Sequence, residues 1–517
     1  MFTVLLIATV IAAIIYLIFK EKPKNLPPGP PTTALPFFGH LLSLGKHPQE
    51  TLSQWCTDQQ SDIIHCYFGQ KLVIVLNNYS LIKEAFLDDN YSARAQPFIF
   101  EEHFHGKGLT YADGERWSIH RKFAMATLKK FGMGKVFLQE TILGEIQDIF
   151  AIIDKQKAKA LNIKGLLTHG LSNIICGFAF GERFSHDYEE FQDVVNLIEE
   201  CFTLGSHDSW ITIFPLLRFV PIKSMRGNYK QFSKNFKKIF NFAKKLVENH
   251  KQNLDGSEET RDYIDEFLRQ ADIDKRANKV DSTFDMDQLV TSITNLFIGG
   301  TETTSTTLRW FFIFMIENPE CLKKCQDEID EYMETANIST EMIQMTDKPF
   351  LPYLQATILE IQRCANIATL GGSTMHRNLA ATTLAGYNIP KDTYIAANFY
   401  SVHVDGRVFP HPDKFDPTRF LSEDLKSVQR HPAFIPFSIG KKSCPGESLA
   451  NMELFLFISN FIRRYTFNVP NQSSQINSKC FYTTSLTRAP HDYQISFVNR
   501  NNDFNNNNNF KNISVAA

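Results

Sequence analysis

Phe434-Ile-Pro-Phe-Ser-Ile-Gly-Lys-Lys-Ser-Cys-Pro-Gly-Glu-Ser-Leu-Ala450 is the stretch on which the rest of the chain turns. A proline-bounded loop runs past Gly440 to Cys444, and Pro445 and Gly446 lead into an apolar helical run from Glu447 to Phe461. A thiolate just before a helix N-terminus is stabilised by the macrodipole and by unpaired backbone N–H groups. Pro445 suits a first helical turn, where its missing N–H has no partner in any case. Gly440 and Gly446 let backbone approach a bulky partner with no Cβ in the way.

That geometry suits a cysteine serving as axial ligand to a haem iron, pushing electron density toward oxygen cleavage. The bland alternative is a buried core thiol. A metal cluster held by several cysteines is disfavoured, because the chain has no Cys-x-x-Cys pair. The pattern Phe437-x-x-Gly440-x-Lys442-x-Cys444-x-Gly446 resembles the haem-binding loop of the cytochromes P450. The family usually carries Arg where Lys442 stands, paired with a haem propionate. Lysine supplies the charge as a point donor without the planar fork.

The whole chain is consistent with one large domain around a flat apolar cofactor. Among its 517 residues are 45 Phe, enough for a broad aromatic interior. Nine scattered Cys form no evident disulfide framework and suit a reducing compartment. A net charge of −2 provides no field that would draw in nucleic acid.

Residues 2–19 are uncharged, and as a helix they would span ~27 Å, enough for a bilayer core. Lys20, Lys22 and Lys24 follow the run and no basic residue precedes it, which predicts a signal anchor with the body in the cytosol. Leu26-Pro-Pro-Gly-Pro-Pro31 is a stiff connector. It resembles the proline hinge that follows the anchor in microsomal P450s, which implies the endoplasmic reticulum membrane. Residues 61–76 predict a small sheet, and helical periodicity dominates from about 112. The charge-rich run 250–285 reads as a solvated connection. The Asn-rich end, residues 498–517, reads as a disordered tail.

In the helix expected at 286–316, Phe297-Ile-Gly-Gly-Thr-Glu-Thr-Thr304 is a poor helix former, each Gly costing ~1 kcal/mol relative to Ala. Broken local propensity in a long apolar helix marks a functional site. Gly299 and Gly300 would let a flat cofactor near the backbone, and a Thr hydroxyl bonded to the preceding turn opens the helix. The stretch resembles the family's I helix, with Glu302 and Thr303 as the acid–alcohol pair that relays protons. A helix packed through small residues is the alternative.

Trp117 and Arg121, four apart on one helix face, resemble the Trp-x-x-x-Arg of the family's C helix, where both contact a propionate. Arg94 and His376 match positions that often do the same. Arg116, Lys122, Lys129 and Lys130 form a basic cluster that could dock an acidic redox partner. Glu360 and Arg363 resemble the Glu-x-x-Arg of the K helix, with Arg419 as its third member, in a structural role. Pocket positions implied by the resemblance are the 98–110 loop, Leu296, 368–372 and 482–486. Residues 201–221 offer a second membrane contact.

The motifs stand in the family's order over roughly residues 26–497, which delimits one catalytic domain after an anchor region, residues 1–25. The resemblance implies a mainly α fold with small β-sheets, with haem between the long helix and the Cys loop. It also implies a monooxygenase that inserts oxygen from O2 into a lipophilic small molecule. Electrons would come from NADPH through a P450 reductase, with cytochrome b5 as a further donor. Two rivals stay open: a P450-fold isomerase or dehydratase acting without O2, and a haem-binding protein without turnover.

Overall fold

The computed structural model describes residues 23–131, 136–204, 210–219, 227–252, 260–337, 342–371, 375–469 and 477–500. The expected anchor over 2–19 lies outside them. Among the described residues no helix is long and apolar enough to cross a membrane.

The fold is mainly helical, and its axis is the 32-residue helix Met286–Glu317. Asp285 caps it by accepting from the Gln288 N–H, and Asn318 ends it before Pro319. It is buried along most of its length and packs against the helices Lys164–Ala179, Tyr229–Gln252, Pro352–Ala365 and Glu447–Arg464. The contact with Lys164–Ala179 is tight at Gly300, where an added Cβ would meet the Ile175 side chain at 2.3 Å. At Gly299 a Cβ would meet nothing. Of the two glycines expected to admit a cofactor, Gly300 therefore also serves helix packing.

A five-stranded sheet forms the smaller layer, in the order Ile63–Phe68, Lys71–Leu76, Tyr394–Ala397, His376–Arg377, Ala93–Arg94. The Lys71–Leu76 and Tyr394–Ala397 strands run parallel and the other pairs antiparallel. Residues 73–76, a Val-Ile-Val-Leu run, are fully buried, as an apolar run in a central strand should be. This sheet brings Arg94 and His376 opposite one another, although 282 positions separate them.

Three expectations are corrected. The run 250–285 is not simply a solvated connection, because it contains the helix Tyr263–Arg276, capped by Asp262, with Tyr263, Ile264 and Phe267 buried. Its many charges conceal the apolar face in the sequence, and two of them, Asp265 and Asp274, are themselves buried. The tail does not begin at 498. Residues 496–499 pair with 465–468, and Arg500 ion-pairs with Asp330 at 2.5 Å. Pro445 lies outside the first helical turn, since the helix starts at Glu447 with Gly446 as its cap.

The Cys loop is held from beneath by a buried ion cluster. Arg363 donates twice to Glu360, both at 2.7 Å, and Arg419 Nε donates to the same carboxylate at 3.1 Å. Arg363 also donates to the His403 carbonyl at 2.7 Å, and the Ile435 N–H, at the start of the loop, donates to His403 Nε2 at 3.1 Å. Burial holds His403 down to about 3, so the imidazole is neutral and Nε2 is free to accept. Glu360 and Arg363 are almost wholly buried. Glu360→Ala would strand a buried guanidinium. It should lower unfolding stability by about 3–5 kcal/mol, and a denaturant midpoint shifted by less than a surface substitution would refute this account of the cluster.

Candidate active site

One chamber lies between the middle of the central helix and the Cys loop. Of the residues singled out in the sequence, Arg94, Arg121, Gly299, Gly300, Thr303, Phe437, Lys442, Cys444 and Gly446 line it. It has about 1700 Å³ of open space, mouth included.

The loop's shape is set by backbone. The Cys444 N–H donates to the Phe437 carbonyl at 2.9 Å, closing the turn. Gly440 has a φ of +76°, and a Cβ there would lie 2.0 Å from the Phe86 carbonyl oxygen, so only glycine fits. The Cys444 side chain is exposed to open space, and that space is the chamber it lines. Burial raises its pKa, opposed by the Gly446 backbone N–H and by Arg121. The helix start thus works against desolvation at this thiol.

Three cations converge on one edge. Arg94 donates to the Lys442 carbonyl at 3.1 Å, and Arg121 donates to the Ser443 carbonyl at 2.6 Å. Burial lowers the pKa of Arg121 and brings Arg94 down to about 10. Lys442 is lowered to about 7, by burial first and then by Arg94, with Asp113 opposing at 3.5 Å. Its ammonium is turned to the Ala112 carbonyl at 2.7 Å and lies 4.1 Å from the centre of the Trp117 ring. Lysine at this position therefore lines the chamber with its stem and directs its charge into the wall.

Four of the expected residues do not line the chamber. Gly440 shapes the turn behind it. Trp117 lies under Lys442, with its Nε1 buried and without a hydrogen-bond partner among the described residues. His376 stacks on Phe86 at 3.8 Å, with Nδ1 on the Tyr91 carbonyl and Nε2 buried without a partner among the described residues. Glu302 faces away, because one residue turns a helix by about 100° from Thr303. Its carboxylate accepts from Thr306 at 3.0 Å. Burial and then Glu199 push it up to about 7, against Arg309 and Lys164. Thr303 Oγ1 donates to the Gly299 carbonyl at 2.8 Å.

A flat, largely apolar group with an anionic edge fits this arrangement. Two guanidinium groups and the Lys442 stem border one edge, two ring nitrogens nearby have no partner among the described residues, and a thiol faces the space. These residues therefore fit haem. Beyond it a smaller, aromatic compartment of about 810 Å³ shares Gly299 and Thr303. Phe100 and Phe104 each stack on Tyr111, at 5.0 and 4.7 Å, and Phe232 stacks on Phe236 at 5.5 Å. Ala368 and Leu486, two of the expected pocket positions, also line it.

Glu453 escaped sequence reading, although a lone carboxylate inside Met452-Glu-Leu-Phe-Leu-Phe457 is a signal in itself. It is buried and accepts from Thr304 at 3.0 Å, joining the loop helix to the central helix. Burial pushes it up to about 8. The unfolded chain loses this proton near the usual ~4.3, so stability should fall as pH rises from there toward 8. Glu453→Gln keeps an acceptor for Thr304 and removes the titration. Between pH 5 and 8 the variant should lose less stability than the wild type, by up to ~1.4 kcal/mol per pH unit. Parallel slopes in urea unfolding would mean the carboxyl titrates normally.

The fold and the chamber agree with what comparison finds. The family model described as Cytochrome P450 matches residues 27–497. Cytochrome P450 2B15 of Rattus norvegicus is 33% identical over 502 residues, covering 96% of this chain and 98% of its own. Cytochrome P450 2J1 of Oryctolagus cuniculus is 32% identical over 503 residues, covering 96% of each. Cytochrome P450 2C44 of Mus musculus is 34% identical over 479 residues, covering 92% and 94%. With likeness of this extent over a mainly helical fold with small sheets, the chain belongs to the cytochrome P450 family and is a monooxygenase, an oxidoreductase.

Proposed function

We propose that residues 26–497 form a catalytic domain that inserts one atom of O2 into a lipophilic small molecule, with NADPH electrons delivered by a reductase. The observation that carries the residue roles is the convergence of Cys444, a cationic edge and the Gly299–Thr303 turn on one chamber. Haem, when bound, supplies the iron chemistry that activates oxygen. Cys444 would hold the iron, and Phe437 and Gly446 would flank it. Arg94, Arg121, Trp117 and His376 would hold the anionic edge, the last two through ring nitrogens without a partner among the described residues, and Lys442, expected to pair with it, would border it with its stem.

Thr303 is the group placed to hold a proton at Oγ1 beside the substrate, since its hydroxyl already breaks into the helix ladder at Gly299. Glu302, held near neutrality behind the helix, is suited to recharge it from the side of Glu199 and Lys164. A retained acid–alcohol pair favours oxygenation over a peroxide-rearranging isomerase and over a non-catalytic haem binder.

The docking surface for the reductase is narrower than the sequence implies. Arg116 is paired with Asp285 and Lys130 with Glu266, which leaves Lys122 and Lys129 exposed. Attachment to the endoplasmic reticulum membrane is supported by exposed apolar side chains brought side by side. Phe38 meets Phe214 edge-on at 5.8 Å, and Leu35, Leu42, Leu216 and Phe219 are exposed nearby in sequence. Asn78 and Asn90, each in an Asn-x-Ser sequon, have their amide nitrogens committed to Asp62 and to the Ala380 carbonyl. That suits a cytosolic face, where neither is glycosylated.

Cys444→Ser should abolish the long-wavelength Soret band of the reduced carbon-monoxide complex, and a retained band would remove Cys444 as the ligand. Thr303→Ala should leave reduction intact and release more peroxide. Productive turnover should fall by on the order of 10²-fold. Counting NADPH, peroxide and product together checks this, and unchanged coupling would favour the isomerase reading.

A further inference from the structure

Away from the chamber, one histidine nitrogen is approached by two carboxylates and a guanidinium. His250 stands near the end of the helix Tyr229–Gln252, and Asp262 and Asp265 stand at the start of the helix Tyr263–Arg276. His250 Nε2 lies 2.6 Å from Asp265 Oδ1 and 3.3 Å from Asp262 Oδ2. None of the three side chains is more than 9% exposed. The Arg261 guanidinium reaches the same nitrogen, with Nη2 at 3.2 Å.

Each carboxylate is already oriented by other bonds. Asp262 Oδ1 accepts from the Asp265 N–H at 3.0 Å as the helix cap. Asp265 Oδ2 accepts from the Arg261 N–H at 3.0 Å and from Arg261 Nε at 2.8 Å. Asp262 Oδ2 is left over. It belongs to a wholly buried residue, has no hydrogen-bond partner among the described residues and is aimed at Nε2. Gly181, at a φ of +68°, gives that oxygen room, since a Cβ there would lie 2.7 Å from it.

One ring nitrogen cannot serve all these neighbours. Protonated, it donates to one carboxylate and opposes its N–H to that of Arg261. Unprotonated, it turns a lone pair toward two anionic oxygens. A cation among the three would meet the lone pair and both oxygens together. The 3.3 Å between Nε2 and Asp262 Oδ2 already matches neighbouring ligands of a tetrahedral zinc ion, ~3.3 Å apart for bonds of ~2.0–2.1 Å. Asp265 Oδ1, at 2.6 Å, would withdraw by less than an ångström. Arg261, 46% exposed, would swing to solvent and leave the fourth position to water.

We propose that His250, Asp262 and Asp265 form a binding site for one zinc-class divalent ion, which fastens the helix Tyr229–Gln252 to the helix Tyr263–Arg276. Two carboxylates offset the charge of the ion, and the imidazole favours zinc over oxygen-seeking magnesium or calcium. The first of these helices carries Phe232 and Phe236, so the ion steadies one wall of the aromatic compartment from its far end.

The test titrates chelator-treated, full-length holoenzyme by calorimetry with zinc chloride and, separately, with magnesium chloride. The wild type should take up one zinc at least ~tenfold more tightly than magnesium. Asp262→Asn keeps an oxygen for the helix cap. It should weaken that zinc by at least ~10–100-fold, the loss that follows removal even of an outer partner. Arg261→Ala removes the competing cation and should tighten zinc by ~threefold or more. X-ray absorption at the zinc edge of the wild type with one equivalent, which no variant's folding affects, should show nitrogen and oxygen ligands alone. No zinc uptake, a sulfur ligand, or equal affinity in Asp262→Asn overturns the site. Equal or weaker binding in Arg261→Ala also overturns it, leaving His250 in an ordinary ion network.

Discussion

The closeness of two backbones governs this molecule. Gly440 passes the end of the helix Tyr79–Leu87 so tightly that a side chain of one carbon would strike the Phe86 carbonyl. Because the loop is seated there, Cys444 faces the chamber and the 442–443 carbonyls face Arg94 and Arg121. The Phe86 ring, in turn, carries the imidazole of His376. A single steric contact therefore registers the thiol, the cationic edge and the sheet with respect to one another. The ion cluster around Glu360 fixes the same loop from its other end, through His403 and Ile435.

Both constraints are costly in isolation. A left-handed backbone is strained for any residue but glycine, and a buried ion pair repays its desolvation only with good geometry. Here Glu360 accepts from two guanidinium groups and from the Asp416 N–H. That degree of satisfaction makes the cluster a register device. The same logic applies to Glu453, whose neutral carboxyl joins two helices without placing a charge in the core.

Much of the fold and part of the site were legible in the sequence. The Cys loop and the Gly-Gly-Thr-Glu-Thr break in the long helix violate local preference, so they stand out without tertiary knowledge. The directions of side chains did not. Lys442 and Glu302 sit in the stretches expected, yet one charge turns to the Ala112 carbonyl and the other lies behind the helix. The first outcome depends on a carbonyl 330 positions away, and the second on which face of the helix meets the chamber. The helix Tyr263–Arg276 was missed because its buried face contributes few residues against many surface charges.

The aromatic wall of the inner compartment has a further consequence. Phe100 and Phe104 come from one helix, Tyr111 from the following segment, and Phe232 and Phe236 from the helix Tyr229–Gln252. Their rings touch across these boundaries, with Phe100 meeting Phe232 and Phe104 meeting Phe236 edge-on. The surface that a ligand would touch is also the seam that joins two parts of the chain. Trimming a ring to admit a bulkier molecule loosens that seam, so diet and durability draw on the same atoms. Diversification in such a lineage would advance by paired changes, each widening of the compartment accompanied by a compensating tightening elsewhere along the seam.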